Sequence, residues 1–315
     1  MKIVYMGTPD FAVETLDAIV KAGHEVALVV TQPDKAKGRG KKVMYTPVKE
    51  KAMEYQLPIA QPEKVSEASF IEELERIQPE VIVVVAFGQL LPERILNLPK
   101  YGCVNVHASL LPAYRGAAPI QWAVIDGLKE TGVTTQHMEK GLDTGDIICQ
   151  RTIALAEDET GGSLFDKLAV EGAKVLLTTL EQLEKGTATR TRQDDSLSSY
   201  AKKLTKDMGE LDFTKDAVSL ERLIRGLNPW PSAYTHLQDK LLKIYAAKVI
   251  LEEDLTKEEA AGTVGSVIAM DKKSFTLRCG QGALQILNLQ LEGKKRMDTA
   301  AFLLGYKMEI GMKVG

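Results

Sequence analysis

The residues Val81-Ile82-Val83-Val84-Val85 form an unbroken run of β-branched side chains, and this run constrains the fold more than any other feature of the chain. β-branched residues favour strands, and a run without polar alternation is typical of a strand that is buried on both faces. Such strands occur in parallel sheets that are covered by helices on both sides. Residues 80–86 are therefore predicted to form a central strand of an open sheet.

Short apolar segments alternate with helical patterns through the first two-thirds of the chain. Besides residues 80–86, strands are predicted at residues 2–6, 25–31, 103–107, 131–138 and 147–153. Helices are predicted at residues 9–22, 46–56, 66–77, 119–126 and 162–184, where apolar side chains recur at helical spacing. Strands that are separated by helices indicate a mostly parallel sheet with helices on both faces.

The pattern changes after residue 185. Residues 185–196 are polar and have no apolar period, so a linker is predicted over residues 186–206. A helix is predicted at residues 217–226, followed by short strands at 232–237, 241–249, 262–270, 274–279 and 283–289. The chain is thus predicted to be an α/β protein, with a Rossmann-like, open and mostly parallel sheet followed by a small, OB-like C-terminal β-barrel.

Composition excludes several classes of protein. With 315 residues, 26% charged and 44% hydrophobic, the chain fits a soluble protein of two domains better than a disordered or membrane protein. Its longest apolar run, residues 81–87, is too short to cross a bilayer. Cys103, Cys149 and Cys279 are widely spaced and form no Cys-x-x-Cys motif, which argues against disulfides and cysteine zinc sites. The expectation is a cytoplasmic monomer without a bound metal and without membrane association.

Asn105 and His107 lie two residues apart at the end of a predicted strand. Residues i and i+2 of a strand point to the same face, so the carboxamide and the imidazole are predicted to enter one pocket. This pair suits chemistry in which a carbonyl oxygen gains negative charge while an amine loses a proton. In the alternative interpretation, both side chains satisfy backbone groups in a turn.

The glycine-flanked loop at residues 141–146, Gly-Leu-Asp-Thr-Gly-Asp, offers two carboxylates to this site. An aspartate of this loop could accept a hydrogen bond from His107, which would fix the tautomer of the ring and raise its basicity. Asp143 and Asp146 could instead bind a metal ion, although the other histidines show no ligand spacing. Ser109 lacks the Gly-x-Ser-x-Gly elbow, so direct transfer between two bound substrates fits better than an acyl-enzyme.

Residues 34–42 read Asp-Lys-Ala-Lys-Gly-Arg-Gly-Lys-Lys and combine two glycines with five cations. Such a segment is predicted to be an exposed loop, suited either to phosphate contacts or simply to solvent. Charge is also uneven along the chain: residues 200–315 carry 18 Lys and Arg against 15 Asp and Glu, whereas residues 1–199 carry 22 against 28. A basic C-terminal part fits a polyanionic partner, and ordinary surface charge explains this count equally well.

Three motifs of the chain resemble the folate-dependent formyltransferases. They are Asn-Val-His-Ala-Ser-Leu-Leu-Pro at residues 105–112, Arg-Gly-Ala-Ala-Pro-Ile at 115–120 and the loop at 141–146. The resemblance extends nearly end to end through Met-Gly-Thr-Pro-Asp-Phe at 6–11, Thr-Gln-Pro-Asp at 31–34, Gly-Leu-Asn-Pro-Trp-Pro-Ser-Ala-Tyr-Thr at 226–235 and Gly-Lys-Lys-Arg-Met at 293–297. The basic loop and the C-terminal motifs are most similar to the family members that act on tRNA.

The resemblance implies transfer of a formyl group from 10-formyltetrahydrofolate, the co-substrate, to the α-amino group of methionine on initiator tRNA. It implies a catalytic trio of Asn105, His107 and Asp143. Asn105 would donate a hydrogen bond to the formyl oxygen as it becomes an oxyanion, an effect of about 3–4 kcal/mol per donor. His107 would assist that stabilisation or take the amine proton, and Asp143 would orient His107.

The resemblance also implies binding residues and a domain arrangement. Folate would be bound by Ser109, Leu110, Leu111, Pro112, Phe87, Gly88, Leu90 and Leu91. The tRNA would be bound by Lys37, Arg39, Lys41, Lys42, Lys294, Lys295 and Arg296. The catalytic domain would cover residues 1–185 and the tRNA-binding barrel residues 207–315, on either side of the linker.

Three other functions stay open. A formyltransferase for a small amine is the nearest, but the glycinamide ribonucleotide enzyme needs no barrel after residue 206, and a sugar-nucleotide enzyme needs no Arg39 loop. A non-catalytic RNA-binding relative would not need Asn105, His107 and Asp143 to be intact. A dehydrogenase would need a Gly-x-Gly-x-x-Gly turn where this chain has Gly7 alone.

Overall fold

A computed structural model of the chain describes residues 1–37 and 42–315, with side chains described throughout these ranges except at residues 35–37, 42 and 43. The described chain divides into two compact units. The first unit contains residues 1–119, 130–154 and 165–201, and the second contains residues 120–129, 155–164 and 202–315.

The first unit is built on a seven-stranded sheet. The strands of the unit are β1 (Lys2–Gly7), β2 (Glu25–Val30), β3 (Lys35–Lys37), β4 (Lys42–Met44), β5 (Ile59–Ala60), β6 (Val81–Val85), β7 (Cys103–His107), β8 (Arg115–Gly116), β9 (Glu130–His137), β10 (Ile147–Ala154) and β11 (Tyr200–Ala201). The sheet has the order β10-β9-β7-β6-β1-β2-β5. The five strands from β7 to β5 run parallel, and β9 runs antiparallel to both of its neighbours, β7 and β10. The predicted open, mostly parallel sheet is therefore confirmed.

The β-branched run is central, as its composition predicts. All five residues of β6 are buried, and the strand lies between β1 and β7. Because β1, β6 and β7 are parallel, the chain segments that follow their carboxyl ends meet at one edge of the sheet. This edge is where Asn105 and His107, at the end of β7, are placed.

Helices lie between these strands along the chain. They are α1 (Val13–Lys21), α2 (Pro47–Glu54), α3 (Ala68–Ile77), α4 (Glu93–Leu96), α5 (Pro119–Ile125) and α6 (Gly161–Lys185). Local sequence explains how α2 begins: the Thr46 side chain accepts a hydrogen bond from Lys49 N, and Pro47 occupies the first turn, where its missing N–H costs nothing. A single 3₁₀ turn at Asp10–Ala12 precedes α1, within the range where one continuous helix is predicted.

The second unit contains a six-stranded antiparallel sheet. Its elements are α7 (Ala217–Gly226), β12 (Ala233–Leu237), β13 (Lys240–Ile250), α8 (Lys257–Ala260), β14 (Val267–Met270), β15 (Phe275–Arg278), β16 (Ala283–Leu291), β17 (Met297–Asp298) and α9 (Thr299–Gly305). The strand order is β12-β13-β16-β15-β14, with β17 beside β16. Apolar side chains of the sheet, including Phe275, Leu277 and Ile286, form the core of this unit together with residues of α7. The prediction of consecutive short strands after α7 is confirmed, although β14 begins five residues later than predicted.

Regular structure also occurs between residues 186 and 206, where the sequence favours a linker. Thr191 forms a bridge to Ile147, and β11 pairs in parallel with β8. Ala201 O also accepts the backbone N–H groups of Ala117 and Ala118. These contacts tie the residues after α6 to the chain segment that follows β7.

Membrane insertion finds no support in the helices. Among the residues that the structure describes, none of the helices combines the length and the apolar character that a bilayer span requires.

Candidate active site

Asn105 and His107 lie on β7, beside β9. The register pairs Asn105 with Gln136 and His107 with Thr134, so Gln136 is the direct neighbour of Asn105 across the sheet. His107 and Gln136 are buried, and Asn105 is half-buried. Two amides and an imidazole are therefore gathered on neighbouring strands at the site edge.

The Asn105 side chain makes no hydrogen bond with any residue that the structure describes. Its Oδ1 atom is nevertheless buried. A buried polar atom without a partner costs about 1–3 kcal/mol unless a water molecule or a ligand bonds to it. The amide of Asn105 is thus available to a substrate.

The His107 ring is held by a backbone carbonyl. Nε2 lies 2.9 Å from Tyr114 O, and a carbonyl oxygen can only accept, so Nε2 must carry a hydrogen. Nδ1 faces Oδ2 of Asp143 at 3.7 Å, which is longer than a direct hydrogen bond. Any change in the protonation of this ring that preserves the Tyr114 contact therefore takes place at Nδ1.

The Asp143 carboxylate accepts one hydrogen bond at each oxygen. Gln136 Nε2 donates to Oδ1 at 3.0 Å, and Gly116 N donates to Oδ2 at 2.9 Å. Asp143 is mostly buried, and its backbone has a φ of 53°, in the left-handed region that aspartate tolerates better than most residues. The carboxylate is thus fixed by β8 and β9 rather than by His107.

The glycine at position 145 is required by the close approach of the loop to β9. A Cβ at this position would lie 1.7 Å from His137 O, a backbone atom that cannot move without shifting the strand. The conformation that presents Asp143 therefore depends on Gly145 having no side chain.

Sequence reasoning missed three residues at this site, Gln193, Arg115 and Gln136. Gln193, which follows α6, is buried and donates to the backbone oxygens of Asp143 and Gly145 at 2.8 and 2.7 Å. Arg115, on β8, donates twice to Oε1 of Gln193. The pairing of β9 with β7 would have indicated Gln136, but nothing in the polar segment around Gln193 marks that residue.

The corner at residues 109–112 is held by hydrogen bonds to Ala113 and to Thr134 of β9. Ser109 Oγ donates to Ala113 O, Leu111 N donates to Thr134 Oγ1, and Thr134 Oγ1 in turn donates to Ser109 O. Ser109 and Leu111 are both buried. These hydrogen bonds fix the conformation of the corner after β7. The corner would therefore contact a ligand mainly through the shape of its surface.

The loop that follows β6 has free backbone groups. Within the described part of the chain, the N–H and C=O groups of residues 88–91 make no hydrogen bonds. The loop is held from outside, because Gln89 donates to Glu63 O and accepts from Val65 N, while Gln32 Nε2 donates to Phe87 O. Phe87 and Leu91 are buried and Leu90 is 78% exposed. The loop can thus offer both backbone donors and an apolar side chain to a flat ring.

The predicted tRNA-binding residues are found in separate places. Arg39 and Lys41 lie outside the described residues. Lys37 and Lys42 are partners in the backbone register of β3 and β4, and an ion pair between Asp34 and Lys49 joins the residue before β3 to α2. In the second unit, Lys294, Lys295 and Arg296 are exposed.

Arg296, in that second group, contacts two neighbouring side chains. Its guanidinium carbon lies 4.2 Å from the centre of the Tyr245 ring, and its Nε donates to Asn288 Oδ1 at 2.5 Å. Tyr245 is buried and donates through its hydroxyl to Gln290. The guanidinium is therefore held in place before any ligand arrives.

A recess opens beside His137, at the end of β9. His137 follows Gln136 in β9 and so points away from Asn105. It lines a recess of about 220 Å³ with Lys100, Tyr101 and Arg190. Burial and the nearby Arg190 cation lower the pKa of His137 to about 4, against the opposing effect of Asp146. This ring is therefore neutral near pH 7.

The three cysteines are free thiols. Burial raises the pKa of Cys103 to about 12 and that of Cys279 likewise to about 12. Within the described ranges, no group of three or more His, Cys, Asp and Glu side chains is placed to hold a metal ion.

Comparisons with known proteins match both parts of the chain to one family. Residues 1–180 match the family described as "Formyl transferase", and residues 203–307 match "Formyl transferase, C-terminal domain". The fold and the matched domains define a formyl-transferring enzyme. The chain belongs to the formyltransferase family, and the predicted resemblance is confirmed.

Similar full-length relatives carry a narrower name. The methionyl-tRNA formyltransferase of Lachnospira eligens is 55% identical over 317 residues, which cover 100% of both chains. The methionyl-tRNA formyltransferase of Agathobacter rectalis is 54% identical over 311 residues, which cover 99% of this chain and 98% of the relative. The dehydrogenase and the non-catalytic alternatives are not favoured.

Solved structures share the fold at low sequence identity. The N-formyltransferase from Helicobacter canadensis, solved in complex with folinic acid and dTDP-3-aminofucose, matches with a TM-score of 0.67 at 17% identity. The match covers 91% of this chain and 98% of that one. At this identity the likeness concerns the fold alone.

Proposed function

We propose that the chain transfers the formyl group of 10-formyltetrahydrofolate to the α-amino group of methionine on initiator tRNA. The observation that carries this proposal is the half-buried Asn105 side chain, whose Oδ1 atom is buried, lies near His107 and has no hydrogen-bond partner within the described residues. The full-length similarity to proteins named methionyl-tRNA formyltransferase supports the choice of substrates.

Asn105 stabilises the charge that develops in the reaction. As the amine nitrogen attacks the formyl carbon, the carbonyl oxygen gains negative charge, and Asn105 Nδ2 donates a hydrogen bond to it. The carbonyl then re-forms as the bond between the formyl carbon and the folate nitrogen breaks, and tetrahydrofolate leaves with the proton that the amine has lost. A donor aimed at a developing oxyanion contributes about 3–4 kcal/mol to the transition state. Because no described residue competes for this amide, it need not break a protein contact in order to act.

His107 acts through Nδ1. Nε2 is committed to Tyr114 O, whereas Nδ1 faces Asp143 across 3.7 Å. A neutral ring can accept the amine proton at Nδ1, and a charged ring can stabilise the oxyanion. In both cases the Asp143 carboxylate, held by Gln136 and Gly116, stabilises the positive charge of the ring.

The folate co-substrate is bound by the loop after β6 and the corner after β7. Free backbone groups at residues 88–91 suit the alternating donors and acceptors of a pterin, and Leu90 offers it an apolar face. The corner at residues 109–112, which hydrogen bonds hold in one conformation, forms one side of the folate site. Both segments follow parallel neighbouring strands, so they lie at the same edge of the sheet as Asn105.

The tRNA is bound by cations from both units. Lys37, Arg39, Lys41 and Lys42 form one group, and Lys294, Lys295 and Arg296 form the other. Cations of this kind position a nucleic acid through its phosphates, and their contribution falls steeply as salt rises.

The deciding experiment offers the protein several amines with 10-formyltetrahydrofolate. Methionyl initiator tRNA, methionyl elongator tRNA, glycinamide ribonucleotide and an amino-sugar nucleotide are compared by single-turnover formylation. Formylation confined to the charged initiator tRNA is expected, and preferential formylation of a small amine would overturn the proposal. Asn105→Ala should lower the rate about 10²- to 10³-fold, while Asn97→Ala, on an exposed helix end, should leave it unchanged.

A further inference from the structure

Gln193 connects the segment after α6 to the loop that carries Asp143. Its side chain is 6% exposed. Nε2 donates to Asp143 O at 2.8 Å and to Gly145 O at 2.7 Å, and it lies 3.3 Å from Oε1 of Gln136. The loop backbone on both sides of Thr144 is thus held by one buried amide.

The orientation of this amide is determined by the groups at the two ends of a hydrogen-bonded chain. Arg115 has only donors, and its Nε and Nη2 lie 3.1 and 2.8 Å from Oε1 of Gln193. The oxygen of Gln193 must therefore face Arg115, which turns its nitrogen towards the loop.

The same logic continues through Gln136. The nitrogen of Gln193 meets Oε1 of Gln136, so Nε2 of Gln136 faces Oδ1 of Asp143. A carboxylate has only acceptors. The hydrogen bonds that lead from Arg115 to Asp143 therefore all run in the same direction, from donor to acceptor. Turning either amide over would place two acceptors or two donors against each other in a buried site.

We propose that Gln193 is a positioning residue for Asp143. It holds the loop backbone directly and the carboxylate through Gln136, and so maintains the 3.7 Å separation between Asp143 Oδ2 and His107 Nδ1. The proposal rests on the proposed function, because it assigns Gln193 a part in the same formyl transfer.

Two substitutions separate positioning from simple structural support. Gln193→Met keeps the length and the apolar stem but removes every donor. Gln193→Glu still accepts from Arg115 but sets a carboxylate against the oxygens of Asp143 and Gly145. If Gln193 served only to hold Arg115, the Gln193→Glu variant would be as active as the unsubstituted chain. Positioning predicts that both variants lower kcat by about 10- to 100-fold, because a displacement of about 1 Å has effects of this size.

The kinetic signature is a fall in kcat with the KM values for folate and tRNA nearly unchanged, together with an altered pH profile of kcat. Gln285→Met is the matched control, because Gln285 is a partly buried glutamine of the second unit whose side chain donates to Ser274 Oγ. It should leave kcat and the profile unchanged. Melting temperatures of all variants are compared with that of the unsubstituted chain to exclude unfolding.

Failure of this inference can be told from failure of the proposed function. If the unsubstituted chain formylates initiator tRNA and Gln193→Met does so at the same kcat and pH profile, the inference is overturned and the function stands. If the unsubstituted chain is inactive on tRNA, ¹⁵N NMR of the His107 ring still tests the positioning. A titration midpoint that differs between the unsubstituted chain and Gln193→Met supports it, and identical titration curves overturn it.

Discussion

His107 and Asp143 face each other across 3.7 Å, from Nδ1 to Oδ2, without a direct hydrogen bond between them. The other nitrogen of the ring donates to Tyr114 O at 2.9 Å, and both oxygens of the carboxylate already accept a hydrogen bond. Each side chain is therefore oriented independently of the other. The pair interacts through charge, and the space between Nδ1 and Oδ2 is where protonation of the ring would be stabilised.

Replacing His107 tests whether its ring takes part in the chemistry. His107→Asn should lower the single-turnover rate by about 10²-fold or more, and the part of the pH profile that depends on the imidazole should disappear, because asparagine does not titrate. The rate is measured over a range of pH at saturating substrates. An unchanged rate and profile would rule out a catalytic role for this residue.

Adding one methyl group to the loop should disturb the position of Asp143. In Gly145→Ala the new Cβ would lie 1.7 Å from His137 O, so the loop must move. We expect a loss of about 1–3 kcal/mol in the free energy of unfolding and a lower kcat. Gly305→Ala is the control, since its Cβ would meet no atom within 4 Å, and it should be at least as stable as the unsubstituted chain. Equal stability and activity of both variants would contradict the steric argument.

The stacking of Arg296 on Tyr245 should contribute to tRNA affinity. Tyr245→Leu removes the ring beneath the guanidinium, which is worth about 0.5–1 kcal/mol at an exposed site and corresponds to a rise of about 2- to 5-fold in Kd. Tyr245→Phe keeps the ring and loses only the hydroxyl contact with Gln290, so its Kd should stay near that of the unsubstituted chain. Kd is measured at one fixed salt concentration. If both variants weaken binding equally, the ring is not the source of the effect.

Arg39, outside the described residues, is expected to act on tRNA rather than on folate. Arg39→Ala should lower kcat/KM for methionyl initiator tRNA while leaving the Kd for the folate co-substrate unchanged. The loss in kcat/KM should shrink as salt rises, because phosphate contacts are screened. An equal loss in the two measurements would show that this division of labour is wrong.

His137 should make the protein sensitive to mild acid. Its pKa is about 4 in the folded chain, below the usual value of 6.5, because of burial and Arg190. Between these two values the unfolded chain binds a proton that the folded chain does not, so the free energy of unfolding falls as the pH drops from about 6.5 towards 4. His137→Gln should lose less stability than the unsubstituted chain between pH 7 and pH 5 in urea titrations.

The quantity to compare is the change of unfolding free energy with pH in the unsubstituted chain and in His137→Gln. This comparison controls for the ionisation of other groups near the recess. Asp146, Arg190, Lys100 and Tyr101 are present in both proteins, so their own ionisations cancel in the difference between the two pH dependences. Parallel pH dependences would mean that His137 titrates normally in the folded state.

The central strands could be predicted because their local sequence carries the signal. β6 is apolar at every position, and β7 ends at the Asn105-x-His107 pair, so strand, face and site edge follow from residue spacing alone. Neighbouring residues were enough to predict α7 as well, since its apolar positions recur at helical spacing.

The remaining parts of the site depend on contacts between residues far apart in the chain. Gln193 lies in a polar segment without periodicity, and its partners Arg115 and Asp143 are 78 and 50 residues away. β8 and β11 have two residues each, too few to show a pattern, and they exist because each pairs with the other. The left-handed backbone at Asp143 is likewise set by the loop and its anchors rather than by the residue itself.

The pairing of β11 with β8 decides where this chain could be cut or recombined. The end of α6, at Lys185, is the simplest place to join this chain to the C-terminal part of a relative that uses another acceptor. A junction there would discard Gln193 and the partner strand of Arg115–Gly116, and with them part of the support of Asp143. A junction after Ala201 would retain them. Chimeras with a new acceptor specificity should therefore keep residues 186–201 together with the segments that carry Arg115 and Asp143.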